Sequence, residues 1–171
     1  MSICVITGGT TGIGAEARAL LQQQGHEVLN IDYKGGDILA DLSSKEGREN
    51  AIKAVWERYP DGIDICNAGV GPTAPPRMIF ALNFFACVDL AEGLRPLLKK
   101  KHGNCVITSS NSITNMTVRM DWVDMLSNVM DENRVLEYAD TIPRNLTPSC
   151  YSSSKHALAR WVRRICASWA V

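Results

Sequence analysis

An α/β fold built on a doubly wound parallel sheet is predicted by three observations. Short apolar runs of strand length alternate with longer segments of helical period along most of the chain. The first run, Ile3-Cys4-Val5-Ile6, ends in a glycine-rich loop, Thr7-Gly8-Gly9-Thr10-Thr11-Gly12-Ile13-Gly14, which opens a helical segment. The second run ends in an acidic residue, Asp32. Strands that alternate with helices are joined by crossovers, and crossovers give parallel sheets with helices on both faces.

The elements follow in order. Ile3–Ile6 is apolar throughout, as a strand covered on both faces must be. The helix after the loop spans about Ile13 to Gln24, with Gly25 as its stop. Val28 to Ile31 form the second strand, and one further strand is expected within Gly36-Asp37-Ile38-Leu39-Ala40-Asp41. Residues 44 to 59 form a helix ended by Tyr59-Pro60-Asp61-Gly62. Ile63 to Cys66 is a third clear apolar strand and runs into Asn67-Ala68-Gly69. A helix from about Met78 to Lys100 leads to a strand over Asn104–Thr108, and the last helix starts near Tyr151.

Residues 111 to 149 carry a helical pattern of their own, so the expected organisation is a single domain, 1–171, with a helical insertion. Trp122, Met125, Leu126, Val129, Met130 and Leu136 share roughly one face of that pattern, while Asp121, Asp124, Asp131 and Glu132 dilute the rest. Two readings stay open: packing on the core or on a partner subunit, and a cradle for a flat hydrophobic substrate.

Composition excludes several classes. With 46% hydrophobic and 21% charged residues in a chain of 171, an ordinary globular domain with a real core is expected. Eighteen basic and eighteen acidic side chains cancel, which leaves no net field for nucleic acid or an anionic membrane. Lys99-Lys100-Lys101-His102, the dense basic run, suits a helix C-terminus. The six cysteines show neither metal-ligand spacing nor C-x-x-C, so no metal is expected. Cys4, Cys66 and Cys105 fall in strands as small hydrophobes, and Cys150 would be reactive if exposed. No signal peptide or membrane span is read, and a reducing, cytoplasmic setting is expected.

The chemistry gathers at two places. In Gly8-x-x-x-Gly12-x-Gly14 the glycines permit a tight turn and close approach of a pyrophosphate, with Thr10, Thr11 and Ile13 beside it and the positive end of a helix facing the anion. Asp32 is placed to accept hydrogen bonds from the ribose hydroxyls of NAD and to repel the extra phosphate of NADP, so NAD is the expected cofactor. Asp41 and Leu42 suit the adenine, although Asp41 equally suits a helix cap before Ser43. Asn67, Ala68 and Gly69 fit backbone contact with the cofactor.

At the other place, Tyr151 and Lys155 stand four apart and project from one helix face. An ammonium about 5 Å from a phenol, at an effective dielectric near 20, favours the phenolate by roughly 3 kcal/mol. Such a pair can trade a proton with an alcohol or ketone.

This ordered set resembles the short-chain dehydrogenase/reductase family: Thr7 to Gly14, Asp32, Asp41, Asn67-Ala68-Gly69, Asn83, Ser110 and Tyr151-x-x-x-Lys155. The resemblance implies a Rossmann fold and NAD-dependent interconversion of a hydrophobic secondary alcohol and its ketone. It implies Tyr151 as general acid and base, with Lys155 assisting it and holding the nicotinamide ribose. Ser110 would bond the substrate oxygen, with Ser112 as the fallback, and Asn83 would anchor a water in the proton relay. A homo-oligomer is also implied. The family's later strands and substrate lid have no counterpart before Val171, so a C-terminally truncated fold is expected, the chain being part of a longer protein. A non-catalytic NAD-binding fragment is the rival expectation.

Overall fold

The structure, a computed structural model, describes residues 1–67, 74–128 and 131–169, the side chains of 65–67 excepted. Among the described residues five strands, β1 (Ile3–Thr7), β2 (Glu27–Asp32), β3 (Ile38–Leu39), β4 (Ile65–Asn67) and β5 (Asn104–Cys105), form one parallel sheet in the order β3-β2-β1-β4-β5. Strand order reverses between β1 and β4, the switch point at which doubly wound sheets hold ligands beyond their carboxyl ends. The helices are α1 (Gly12–Gln23), α2 (Lys45–Arg58), α3 (Pro76–Phe80), α4 (Cys87–Lys101), α5 (Met120–Ser127), α6 (Glu132–Asp140) and α7 (Thr147–Trp169).

The chain divides into two compact units, Met1–Gly69 with Ala86–Thr108 and Val70–Phe85 with Ser109–Val171. The first holds the sheet with α1, α2 and α4. Cys4, Val5 and Ile6 of β1 and Leu29 and Ile31 of β2 are all at most 2% exposed, as two-sided burial requires. Cys4, Ile6 and Val28 pack against Ala17 and Leu21 of α1. Gly25 (φ +82°) ends α1: its N–H donates to Gln22 O while His26 N–H donates to Leu21 O, the paired bonds of a Schellman stop. Arg48, fully buried in α2, donates from Nε to Asp89 Oδ2 on α4 (2.7 Å) and from Nη1 to Leu42 O (3.3 Å).

The second unit contains α3, α5, α6 and α7. Trp122, Leu126 and Leu136 are buried, and α5 packs on α7 while α6 packs on α3. The Trp122 ring meets Phe80 edge-on at 6.0 Å and donates from Nε1 to Tyr138 Oη at 3.2 Å. The apolar face of the insertion therefore packs on this chain's own helices; Met125 is half-buried, and Val129 and Met130 lie outside the described residues.

Four elements differ from the sequence expectation, the first being β4, which runs Ile65–Asn67 instead of Ile63 to Cys66. β5 stops at Cys105 instead of Thr108; its ladder with β4 pairs Ile65 with Asn104 and Cys66 with Cys105. The helix expected from Met78 starts at Pro76 and widens into a π-turn over Ala81–Ala86 before α4. The last helix begins at Thr147, since Pro148 is tolerated in a first turn, where its missing N–H has no helical partner to lose.

Asp89→Ala removes the Asp89 carboxylate from the buried Arg48 guanidinium. Breaking a fully buried pair costs several kcal/mol; with the Asp89 side chain 38% exposed, a loss of about 2 kcal/mol is expected in urea unfolding, partly recovered by adding Arg48→Met.

Candidate active site

The loop from β1 into α1 is shaped by two glycines with opposite reasons. Gly12 has φ +57° and open space around it, so its need is conformational. At Gly14 a Cβ would lie 2.2 Å from Gly8 O, so its need is steric. The loop is tied down by Gly8 N–H to Ile31 O (3.0 Å), Gly9 N–H to Asn30 Oδ1 (2.8 Å), Thr10 N–H to Asp32 Oδ2 (3.3 Å) and Thr10 Oγ1 to Lys34 O (3.0 Å). Thr11 is the N-cap of α1 but makes no side-chain cap bond, and the first turn carries no acidic residue. The first N–H groups of α1 thus face outward with the positive helix end uncompensated, and Ile13 beside them is 82% exposed. These features fit a dinucleotide pyrophosphate.

Asp32 ends β2, its carboxylate held by the N–H groups of Thr10 and Lys34. Asp41 accepts from Ser43 N–H (3.0 Å) and Ser43 Oγ (2.6 Å), while Ser44 caps α2 by accepting Gly47 N–H. Asp41 is therefore the anchor of the preceding turn and not the cap. Leu42, half-buried, has its carbonyl fixed by Arg48. Asn67 ends β4; Ala68 and Gly69 lie outside the described residues.

The second unit gathers the other group. Asn83 sits in the π-turn, fully buried, and donates from Nδ2 to Ser154 Oγ (3.4 Å). Ser154 Oγ in turn donates to Tyr151 O (2.8 Å). Tyr151 is half-buried, whereas Ser152, Ser153, Ser154 and Lys155 are each at most 2% exposed. Ser152 Oγ donates to Pro148 O (2.9 Å) and lies 3.0 Å from Thr117 Oγ1, and Ser153 Oγ accepts Arg119 N–H (2.9 Å). Ser110 caps a 3-10 turn over Asn111–Thr114 by accepting Ser112 N–H (3.2 Å), which leaves its hydroxyl proton to donate elsewhere. That turn is fastened to α7 through His156 Nδ1 and Ile113 O, 3.1 Å apart. Ser112 Oγ is buried without a hydrogen-bond partner.

Sequence reasoning missed the residues that hold the others: Asn30, Arg48, the serines 152–154 and His156. A polar residue inside the apolar run Val28-Leu29-Asn30-Ile31 was a visible signal, as were three adjacent serines between Tyr151 and Lys155. Cys150 is fully buried, and burial pushes its thiol up to about 11. Among the described residues no three His, Cys, Asp or Glu side chains gather as metal ligands would. No helix among them is long and apolar enough to cross a membrane.

A parallel 3-2-1-4-5 sheet with this loop and this tyrosine–lysine helix defines a class of nucleotide-dependent oxidoreductase, and the chain belongs to the short-chain dehydrogenase/reductase family. It is 34% identical over 176 residues to the 3-alpha-hydroxysteroid dehydrogenase/carbonyl reductase of Comamonas testosteroni, with 99% of this chain and 67% of that protein covered. The coniferyl-alcohol dehydrogenase of a Pseudomonas species (strain HR199) is 28% identical, with 96% of this chain and 66% of that protein covered. The crystal structure of the 3-alpha-hydroxysteroid dehydrogenase of Pseudomonas sp. B-0831 with NADH superposes with a TM-score of 0.90 at 35% identity, with 99% of this chain and 67% of that one covered. No model of a protein family matches the sequence.

Two outcomes are expected. With its thiol near 11, Cys150 carries roughly a thousandth of its population as thiolate at pH 8, so iodoacetamide should label exposed Cys166 and spare Cys150 until the protein unfolds, as read by peptide mass. Gly14→Ala should disrupt the turn and lower the melting temperature, as read by thermal unfolding.

Proposed function

We propose that this chain carries the cofactor-binding and catalytic residues of an NAD-dependent oxidoreductase that interconverts a hydrophobic secondary alcohol and its ketone. The observation that carries the reading is the Tyr151–Lys155 stretch, whose intervening serines are all buried and bonded to Asn83, Thr117 and Arg119 N–H directly or in chain. A tyrosine–lysine pair on an ordinary surface helix has no reason to be secured in this way.

In ketone reduction Tyr151 gives its phenolic proton to the carbonyl oxygen, and in alcohol oxidation it takes that proton back. Lys155, buried beside it on the same helix face, stabilises the phenolate left behind and bonds the nicotinamide ribose. Ser110 donates a hydrogen bond to the substrate oxygen as charge develops there. Asn83 anchors a water through which the tyrosine proton is replaced. NAD, when bound, supplies the hydride exchange at the carbinol carbon. Gly8, Thr10, Thr11, Gly12, Ile13 and Gly14 receive the dinucleotide with the start of α1, Asp32 the adenosine ribose, and Asp41, Leu42, Asn67, Ala68 and Gly69 complete its surroundings.

The choice of NAD over NADP is supported by Asp32, whose charge opposes the extra phosphate of NADP, and by the relative solved with NADH. A hydrophobic substrate is supported by relatives named for a hydroxysteroid and for coniferyl alcohol. A homo-oligomer in the cytoplasm belongs to the same proposal. A second reading, a cofactor-binding piece that does not turn over alone, draws on the 66–67% of the relatives' length that the chain spans.

Tyr151→Phe, at a position that with Lys155 belongs to the cofactor surroundings as well, is expected to lower kcat by about a hundredfold or more on 3-ketosteroids or aromatic ketones. Tight NADH binding without turnover in the unaltered chain favours the second reading. Asp32→Ala is expected to shrink the preference for NADH over NADPH about tenfold, read as the ratio of the two Kd values.

A further inference from the structure

Asn30 is fully buried in the middle of β2, between the apolar Leu29 and Ile31. A primary amide in such a place is tolerated when both of its ends are bonded. Both ends of Asn30 go to the nucleotide loop: Oδ1 accepts Gly9 N–H at 2.8 Å, and Nδ2 donates to Thr10 Oγ1 at 3.1 Å. Thr10 Oγ1 passes its own proton to Lys34 O at 3.0 Å, so it meets Asn30 as an acceptor.

The clamp is itself braced. Asn30 N–H donates to Asp37 Oδ2 and Asp37 N–H donates back to Asn30 O, both at 2.8 Å. Arg18 of α1 reaches the same carboxylate oxygen at 3.3 Å. The amide also explains the second loop glycine, which no φ requirement accounts for. A Cβ on Gly9 would stand 2.6 Å from Asn30 Oδ1, so the space beside Gly9 belongs to the amide.

We propose that Asn30 is a positioning residue for cofactor binding: a buried clamp that holds Gly9 and Thr10 in the form the dinucleotide requires before it arrives. It sets affinity and leaves the rate of the chemical step alone. The inference rests on the reading of this loop as the NAD site. Loops ordered in advance spare the ligand the entropy of ordering them, so loss of the clamp is felt as weaker binding.

The test compares the wild-type chain with Asn30→Leu, close in size but bonded to neither loop residue, and with Asn30→Asp, which keeps an acceptor for Gly9 N–H. Fluorescence titration gives the Kd for NADH, steady-state kinetics the KM and kcat, and NMR the amide exchange of Gly9 without ligand. Gly9 should exchange slowly in the wild type and in Asn30→Asp, and rapidly in Asn30→Leu. Kd and KM for NADH should rise about tenfold in Asn30→Leu, with kcat within about twofold of wild type. A merely structural asparagine would lower the melting temperature and leave the Kd of the folded protein unchanged. A folded leucine variant with wild-type Kd overturns the role while the cofactor reading stands. Wild-type protein that binds no NADH overturns both. If the leucine variant does not fold, rapid Gly9 exchange in the wild-type or the aspartate protein still overturns the clamp.

Discussion

Strand β1 hydrogen-bonds along both of its edges, to β2 and to β4, and the first unit is arranged around that constraint. A strand paired on both edges and covered on both faces has one exit, at its end. The chain must then turn at once into a helix that packs back on the sheet. With Gly8 O lying where a Gly14 side chain would be, the loop has little choice of path. A helix terminus at the switch point is the geometric result, and an uncapped terminus of this kind favours an anion on electrostatic grounds.

Within the second unit, polar bonds of small side chains stand beside its apolar contacts. Asn83 depends on a π-turn, which departs from the regular bonding of the helix into which α3 runs. The group it reaches, Ser154, hands the bond on to the Tyr151 carbonyl. Thr117 and Arg119 fasten the same helix from another segment, and His156 ties in the turn capped by Ser110. Asn83 and the turn capped by Ser110 are thereby fastened to α7, which carries Tyr151 and Lys155, through Ser154 and His156.

Much of the first unit was legible in the sequence because its signals are local. Apolar runs, Gly25 and the Gly8–Gly14 spacing each report on a few adjacent residues. β5 was overestimated because the run 104–108 reads as strand throughout, whereas pairing with β4 takes in Asn104 and Cys105, and pairing with a distant strand is not written in residues 104–108. The π-turn was invisible since Ala81–Ala86 has ordinary helical composition. Met-rich periodicity in the insertion could not separate a substrate cradle from internal packing; the pairing of Trp122 with Phe80 is long-range information. Within the site, residue types that do chemistry were recognised, while Asn30 and His156 act through partners 20 and 43 positions away.

The three serines between Tyr151 and Lys155 would be written as unspecified letters in any motif. Their burial and their separate partners give them less freedom than that notation suggests. A side chain one or two atoms larger at 152, 153 or 154 has no solvent to move into and would push the helix away from Thr117, Arg119 or Asn83. Tyr151 and Lys155 would travel with it. The three serines therefore help to fix where the two ends of the motif stand.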